Sequence, residues 1–365
     1  MDGADATLAS FTDDNIHVVR SLHRDYPPAI RRQLMEITSP GWTGSLATLQ
    51  DMDHQIGLFF AEICRELIAH CGKTVAAIGF HGQTIHHQPS SQHPNSWQIG
   101  DPNLIAETTG ITTIADWRRR DIAAGGQGAP LTPLFHAVAF RRPHDTVVLN
   151  LGGIANISIL SESNEKCVRG FDCGPANALM DDWIHRHLGK DYDRDGAWAS
   201  SGQIIPSLLQ SMLSDPYFSR PPPKSTGREH FNRRWLQHHL DSLSTKPTPA
   251  DVQTTLAELT ARTVVDAIKT HAPDTREVFL CGGGAYNRFL INRMEKLGQT
   301  IKWRSSLAAG IPPEDMEAIA FAWFAKQTME GKALQTPAVT GARHARIAGA
   351  IYPGSGYPDN GKVRL

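Results

Sequence analysis

Two strand-like segments separated by a pair of glycines place the strongest constraint on the fold of this chain. Residues 147–151 and 154–160 are apolar or β-branched, and Gly152-Gly153 between them suits the two-residue turn of a tight hairpin. The sequence therefore predicts a β-hairpin. Glycine also lets a ligand approach the main chain closely, so this turn is a candidate phosphate-binding element, with an ordinary hairpin as the alternative.

Helices and strands alternate along the rest of the chain. Apolar residues recur every three or four positions between Leu46 and Gly72, which predicts a long amphipathic helix. Short apolar segments at 75–80 and 111–115 are typical of strands, and each leads into a polar loop. This alternation predicts an α/β fold, in which ligands gather beyond the carboxyl ends of the strands.

Size and charge limit the class of protein. The 365 residues, of which 40% are hydrophobic, suffice for two domains, each with its own core. A charged linker near 141–145 predicts one domain at 1–143 and a second at 144–330, and we expect 331–365 to complete the first. A net charge of -1 supplies no field that would gather nucleic acid or an anionic membrane. A small molecule is therefore the expected partner.

The cysteines indicate a reducing compartment. There are five, an odd number, and none forms a Cys-x-x-Cys pair, which argues against a disulfide framework and against a structural zinc site. No apolar run approaches the roughly 20 residues that span a bilayer, and the first residues lack the features of a secretion signal. We therefore expect a cytoplasmic protein with reduced thiols at Cys64, Cys71, Cys167, Cys173 and Cys281.

The carboxylate of Asp172 is the leading candidate for a catalytic base. It lies between Gly170 and Gly174, and the sequence predicts a turn into a helix, with Gly174 as the N-cap and Pro175 at the first helical position. Apolar residues at helical spacing then continue to Gly189. The main-chain N–H groups of that first turn would attract an anion such as phosphate. The alternative is that Asp172 merely caps its own helix.

Three successive glycines form a second candidate nucleotide turn. Gly282, Gly283 and Gly284 follow a predicted strand at 277–281. Ordering such a run costs conformational entropy, and close approach of a ligand is a good physical reason for that cost. A loose loop is the alternative. Neither glycine turn matches the P-loop or the dinucleotide fingerprint, which indicates a nucleotide site of another architecture.

Eight segments spread over nearly the whole chain share one family pattern. They are residues 79–84 (GFHGQT), 115–121 (ADWRRRD), 125–131 (GGQGAPL), 149–158, 170–177, 224–229 (KSTGRE), 281–287 and 316–317. Together they resemble the anhydro-N-acetylmuramic acid kinases. The resemblance implies an α/β protein of two ribonuclease-H-like lobes, the actin-like ATPase fold, with an interlobe cleft between a sugar-side and a nucleotide-side lobe. In that fold the hairpin turn holds the phosphates of ATP and the triple glycine holds the adenosine.

The resemblance also implies a reaction, with ATP and Mg²⁺ as cofactors. Water opens the 1,6-anhydro bridge of anhydro-N-acetylmuramic acid while the freed O6 takes the γ-phosphoryl group of ATP, giving N-acetylmuramic acid 6-phosphate and ADP. Such a kinase serves peptidoglycan recycling and amino-sugar catabolism. Because water is a weak nucleophile, a carboxylate must remove its proton, and Asp172 is assigned to that role. Family likeness further suggests a homodimer.

Binding residues follow from the same resemblance. For the nucleotide and its phosphates they are Asp2, Gly3, Asp5, Gly152, Gly153, Asn156, Gly282, Gly283 and Gly284, with Asp2 also orienting Mg²⁺ through water. For the sugar they are Arg119, Arg120, Asp121, Gln127, Gly128, Pro130 and Glu317. The two arginines and Asp121 would bind the lactyl carboxylate or the ring hydroxyls, although a solvated charge run is the simpler explanation of adjacent arginines. Glu317 is either a helix-start charge or a contact to the sugar.

The start of the chain departs from the family pattern. Family members open with a strand and a Gly-Thr-Ser-x-Asp-Gly-x-Asp turn, whereas this sequence begins Met1-Asp2-Gly3-Ala4-Asp5, so that Met1 stands at the first x. We expect the first strand and the Gly-Thr-Ser half of the turn to be absent, and Met1 to be an internal methionine. The departure leaves one alternative open, a non-catalytic or chaperone-like nucleotide-binding protein of the same fold.

A metal-dependent hydrolase is a further rival. His81, His86 and His87 lie close together in the sequence, as metal ligands often do. They lack the helical pair four residues apart with an intervening glutamate that a zinc hydrolase uses. The sequence therefore favours the kinase.

Overall fold

The computed structural model describes residues 3–12, 15–39, 41–69, 71–72, 74–162 and 168–355. Elements up to residue 139 are β1 (Gly3–Phe11), β2 (Ile16–Asp25), α1 (Pro28–Ile37), α2 (Leu46–Ile68), β3 (Ile78–Gly79), β4 (Gln83–Gln88), β5 (Asn95–Ile99), α3 (Pro102–Thr109), β6 (Thr113–Ala115), α4 (Trp117–Ala123) and α5 (Thr132–Ala139). Those from residue 146 to 305 are β7 (Thr146–Leu151), β8 (Ile154–Leu160), β9 (Val168–Pro175), α6 (Asn177–Leu188), α7 (Pro206–Leu213), α8 (Pro216–Ser219), α9 (Arg233–Asp241), α10 (Pro249–His271), β10 (Glu277–Cys281), α11 (Arg288–Leu297) and β11 (Lys302–Ser305). The last are α12 (Met316–Met329), α13 (Pro337–Thr340) and β12 (Ala350–Tyr352).

The chain divides into two compact units. The first unit comprises Met1–Phe135 and Asp315–Leu365, and the second unit comprises His136–Glu314. These limits differ from the expected boundaries at 143/144 and 330/331. The difference arises chiefly from α12, which the sequence placed with the second domain. Its apolar residues pack against β1, β3 and β6 of the first unit instead.

A five-stranded mixed sheet organises the second unit. Its strand order is β11-β10-β7-β8-β9. The β7–β8 and β8–β9 pairs are antiparallel, whereas β10 is parallel both to β7 and to β11. Numbered within the unit, this is the 3-2-1-4-5 order of a ribonuclease-H-like sheet. The predicted hairpin is confirmed, since Leu151 pairs with Ala155 across the Gly152-Gly153 turn.

A large hydrophobic cluster of the second unit covers one face of this sheet. Leu149, Ile157 and Phe171 are directly opposite one another on β7, β8 and β9, and all three are buried in the same hydrophobic cluster as Leu256 and Val264 of α10. Full burial of a side chain of this size stabilises the folded state by about 1.5–3 kcal/mol. This packing fixes the register of the three strands, because a shift of one residue would turn the apolar side chains to the other face.

The start of α6 differs from the sequence prediction. β9 continues through Gly174 to Pro175, and the helix begins only at Asn177. The first N–H groups are already bonded: those of Ala176 and Ala178 donate to Gly153 O, and that of Asn177 donates to Gly152 O. The prediction of a free anion-binding turn was therefore wrong. The predicted end of the helix is confirmed, with Gly189 at φ +65° following Leu188.

The described strands of the first unit form smaller sheets. β1 and β2 form an antiparallel hairpin, β4 and β5 form another, and β12-β6-β3 is a three-stranded sheet in which β3 is parallel to β6. The predicted long helix is confirmed as α2, whose N-cap Ser45 accepts a hydrogen bond from Thr48 N at 3.1 Å. Helix α12 packs on both β1 and β3. Its main chain approaches β3 so closely that a side chain at Gly79 would clash with Phe321 O.

None of the helices in the described part of the chain has the length and apolarity needed to cross a membrane.

Candidate active site

A row of polar side chains crosses three strands of the second unit. Asn156 of β8 is paired with Asn150 of β7 on one side and with Asp172 of β9 on the other. Directly paired residues project from the same face of a sheet, so these three side chains form one row. All three are partly exposed, whereas their neighbours along the strands point into the core. Asp172 therefore lies on a strand, and its predicted place on a helix-start turn was wrong.

The loop at 224–227 holds Asp172 in place. Thr226 N donates to Asp172 Oδ2 at 3.0 Å, and Asp172 N donates to Lys224 O at 3.2 Å. From the other side, the Tyr217 hydroxyl donates to Asp172 O at 2.7 Å. Within the described residues no donor reaches Asp172 Oδ1. One carboxylate oxygen is thus fixed by the loop, and the other is available to a water molecule.

The environment of Asp172 suits a general base. Burial raises the pKa of its carboxyl to about 6; the Thr226 N–H opposes this rise and the negative charge of Glu229 adds to it. The nearby cation, Lys224, is engaged elsewhere, since its Nζ donates to Tyr217 O at 3.3 Å and to Phe218 O at 3.2 Å. A carboxylate with a pKa close to neutrality that is not neutralised by an ion pair can accept a proton at physiological pH.

The triple glycine packs beside the hairpin turn. Gly282 follows β10 with φ +76°, and a side chain there would clash with Asn150 Oδ1 and lie 3.0 Å from the main-chain carbon of Leu151. Gly284 is equally close to Leu151. Around Gly283, by contrast, a Cβ would meet no atom within 4 Å. The two glycine turns therefore form one surface at the carboxyl ends of β7 and β10, and this surface is open at Gly283.

A second polar cluster lies in the first unit. Arg118 Nε donates to His81 Nε2 at 3.0 Å, and Arg118 Nη1 donates to Gly128 O at 3.3 Å. Glu317 is an exposed residue, yet burial of its carboxyl group by the surrounding protein raises the pKa of that group; Arg118 opposes the rise and Asp5 adds to it. Arg118 was not among the residues chosen from the sequence. Its position as the first of three arginines was the only signal.

In the histidine cluster, the ring of His81 is bound on both sides by protein groups. His81 Nδ1 donates to Gly82 O at 2.8 Å while its Nε2 accepts from Arg118, so both ring nitrogens have partners. Burial and the neighbouring Arg118 lower the pKa of His81 to about 3, which keeps the ring neutral. No three His, Cys, Asp or Glu side chains are grouped around a possible metal position in the described part of the chain. The geometry thus gives the hydrolase reading no support.

The other charged residues that follow β6 lie on helix α4, where the sequence predicted a polar loop. Arg119 and Arg120 are exposed on the helix, and Arg119 Nε forms an ion pair with Asp116 Oδ1 at 2.7 Å. Asp121 is buried, and its two carboxylate oxygens accept hydrogen bonds from Gly128 N and Thr340 Oγ1, each at 2.8 Å. Asp121 therefore fixes the loop at 125–128 and is not an exposed contact for a ligand.

The loop after α4 contains the remaining sugar-side candidates. Gln127 and Pro130 are exposed, and Gln127 N donates to Thr340 O at 3.0 Å. Gly128 has φ +69°, and a Cβ there would lie 3.1 Å from Arg118 O. The lack of a side chain at Gly128 is thus explained by packing on α4 alone.

Two of the three N-terminal candidates lie on a strand. Gly3 and Asp5 are part of β1, where Asp5 pairs with His23 of β2 and its Oδ1 lies 2.6 Å from His23 Nδ1. Asp2 lies outside the described residues. The expectation that a preceding strand is absent is not tested and stays a prediction.

Comparison with known proteins identifies the family. A sequence model of the anhydro-N-acetylmuramic acid kinases matches residues 1–354. The chain belongs to this family. It is 44% identical to the anhydro-N-acetylmuramic acid kinase of Coxiella burnetii (strain Dugway 5J108-111) over 358 residues, which are 97% of this chain and 95% of that protein. It is 45% identical to the enzyme of the same name from Xanthomonas campestris pv. campestris (strain 8004) over 360 residues, 96% of this chain and 94% of that protein.

Similarity to solved structures is more distant. The activator of the 2-hydroxyisocaproyl-CoA dehydratase from Clostridium difficile with bound ADPNP aligns with a TM-score of 0.42 and 13% identity, over 87% of this chain and 92% of that chain. The ribonuclease-H-like fold of the second unit follows from its own strand order.

Proposed function

We propose that this chain is an ATP-dependent kinase that opens 1,6-anhydro-N-acetylmuramic acid by hydrolysis and phosphorylates O6. The products are N-acetylmuramic acid 6-phosphate and ADP. The observation that supports this most directly is the environment of Asp172. Its carboxyl has a raised pKa, and no cation among the described residues pairs with it. It also lies in one row with Asn150, which is next to Gly282. A non-catalytic nucleotide-binding protein would have no need for such a base.

Asp172 performs the proton transfer in this mechanism. Its Oδ1 accepts a proton from water as the water oxygen bonds to the anomeric carbon of the sugar. The bond between that carbon and O6 breaks, and O6 uses the released electron pair to attack the γ-phosphorus of ATP. The bond from this phosphorus to the bridging oxygen of ADP then breaks. The proton on Asp172 passes to solvent, which restores the base.

The glycine turns bind the nucleotide. Gly152 and Gly153 contact the phosphates, Asn156 contributes an amide beside them, and the turn at 282–284 contacts the adenosine. The open space at Gly283 and the absence of side chains on the hairpin turn fit a ligand that must approach main-chain N–H groups. Mg²⁺, when bound, would reduce the negative charge on the phosphates of ATP. Asp2, which lies outside the described residues, remains the candidate for orienting this ion through water.

The sugar is recognised by the first unit. Glu317 accepts a hydrogen bond from a sugar hydroxyl or amide. The positive charge of Arg118 opposes the rise in the pKa of this carboxyl and so favours its charged form. Exposed Arg119, Arg120 and Gln127 are the candidates for the lactyl carboxylate and the ring hydroxyls. Physiologically, we propose a role in peptidoglycan recycling, in the cytoplasm and as a homodimer.

The proposed function is tested by incubating the purified protein with ATP, Mg²⁺ and 1,6-anhydro-N-acetylmuramic acid. We expect one ADP and one N-acetylmuramic acid 6-phosphate per turnover, identified by mass spectrometry, with one oxygen from labelled water at the anomeric carbon. N-Acetylmuramic acid, which has no anhydro bridge, is the control substrate and should react slowly. ATP binding without product formation would contradict the proposal and favour the non-catalytic alternative.

The raised pKa of Asp172 predicts how activity depends on pH. The base works only when deprotonated, so kcat/KM should rise about tenfold per pH unit below pH ~6 and level off above it. Initial rates between about pH 4.5 and pH 8, with folding followed by circular dichroism at each pH, measure this. A profile that is flat from about pH 4.5 upward would show that no group with such a pKa acts as the base.

A further inference from the structure

An exposed guanidinium, that of Arg228, lies over the hairpin turn of the second unit. Arg228 Nε and Nη2 are each 3.8 Å from the position that a Cβ on Gly153 would occupy. No carboxylate or carbonyl among the described residues forms an ion pair or hydrogen bond with Arg228, whereas Arg233 is paired with Asp182 and Arg293 with Glu258. The adjacent Glu229 is directed back toward Gly227.

The main chain around Arg228 is fixed in position. Thr226 N is bonded to the carboxylate of Asp172, and Gly227 O accepts hydrogen bonds from His230 N at 3.1 Å and Phe231 N at 3.0 Å. Phe231 is buried in the core and stacks on Phe218 with ring centroids 5.6 Å apart. The loop is thus ordered in the folded protein, so that little reorganisation is needed to present the guanidinium to a ligand.

The charge of a transferred phosphoryl group needs a cation that is not already engaged. Lys224, the other cation of this loop, donates to two main-chain carbonyls and lies over the rings of Phe171 and Tyr217. Arg228 is therefore the cation of this loop that remains for a ligand at the Gly152-Gly153 turn. A planar guanidinium also matches phosphate oxygens with two parallel hydrogen bonds, which an ammonium group does not.

We infer that Arg228 is a catalytic residue that contacts the terminal phosphate of ATP and stabilises the charge on its oxygens during transfer. This inference rests on the proposed function. Arg228 and Thr226 belong to one short loop, so the same segment holds the base that activates water and the cation that receives the phosphoryl charge. The bonds formed and broken are those of the proposed reaction, and Arg228 takes no proton.

The test compares Arg228→Gln and Arg228→Lys with Arg234→Gln, a control in which an exposed arginine of α9 is changed. We measure kcat with the anhydro sugar, and the Kd values of ADP and of a non-hydrolysable ATP analogue by calorimetry. Arginines that stabilise phosphoryl transfer contribute roughly 10³–10⁵ in kcat. We expect a loss of this order for Arg228→Gln, partial retention for Arg228→Lys, and normal kcat for Arg234→Gln.

The nucleotide-binding measurements test this inference independently of the proposed function. The wild-type protein should bind the ATP analogue more tightly than ADP, and Arg228→Gln should reduce that ratio at least about tenfold. An unchanged ratio in Arg228→Gln would overturn the inference, whatever the turnover. If the wild-type protein does not convert the anhydro sugar, the proposed function fails, and the ratio still decides whether Arg228 contacts the terminal phosphate.

Discussion

Replacing Asp172 with asparagine should lower kcat by roughly 10²–10⁴-fold, the range for loss of a general base. The amide is the same size as the carboxylate, and its oxygen can still accept the hydrogen bond from Thr226 N. It cannot take a proton from water. Because the charged carboxylate is partly dehydrated in the folded protein, the neutral amide should not destabilise it. Product formation is measured in steady state, and ATP binding is measured by calorimetry.

A matched control for this prediction is Asp266→Asn, which makes the same chemical change on an exposed position of α10. It should leave kcat and ATP affinity unchanged. Near-normal turnover in Asp172→Asn would remove Asp172 from the mechanism. A large loss of ATP affinity in Asp172→Asn would instead indicate a role in nucleotide binding, because the general base acts on water and not on the nucleotide.

Features encoded by neighbouring residues could be predicted from the sequence. The hairpin follows from two apolar segments and a two-glycine turn, and α2 follows from its apolar periodicity and its N-terminal Ser45. The turn at the triple glycine, immediately after β10, could likewise be predicted from the residues next to it. In each case the residues that determine the structure lie within the element itself or next to it.

The structure around Asp172 was mispredicted because it depends on distant partners. Gly174 and Pro175 are typical of a helix start, but both belong to β9. Since β9 is the edge strand of the sheet, the missing N–H of Pro175 leaves no strand bond unmade on its open side. The polar row itself needs the register of three strands, which no short motif encodes.

The charged residues of α4 show a similar limit. Successive residues of a helix differ by about 100° in direction, so of three adjacent arginines only one faces a given neighbour. The structure selects Arg118, through contacts with His81 and Gly128. Asp121 was taken for a ligand contact because its partner Thr340 is 219 residues away in the sequence. The segment that contains the polar site residues could thus be predicted from the sequence, but the directions of their side chains could not.

Replacing Gly282 with alanine should destabilise the second unit by about 2–4 kcal/mol, combining left-handed backbone strain with overpacking. Its φ is +76°, and the new Cβ would clash with Asn150 Oδ1 and lie 3.0 Å from the main chain of Leu151. The hairpin turn should shift as a result, so ATP affinity should fall as well. Thermal unfolding followed by circular dichroism and calorimetric titration with ATP measure the two effects.

Substitutions at two further glycines distinguish the effects of backbone strain, overpacking and loss of ligand contact. Gly331→Ala introduces the same kind of strain, at φ +66°, in open space, and should cost only about 1–2 kcal/mol. Gly283→Ala adds a methyl group in open space without a left-handed φ, so stability should change by less than about 0.5 kcal/mol. If adenosine lies against this turn, Gly283→Ala should nevertheless weaken ATP binding at least tenfold, about 1.4 kcal/mol. Normal ATP affinity in a stable Gly283→Ala variant would show that the nucleotide does not approach the triple glycine. The structural requirement for glycine at position 282 would then have to explain this turn without a ligand.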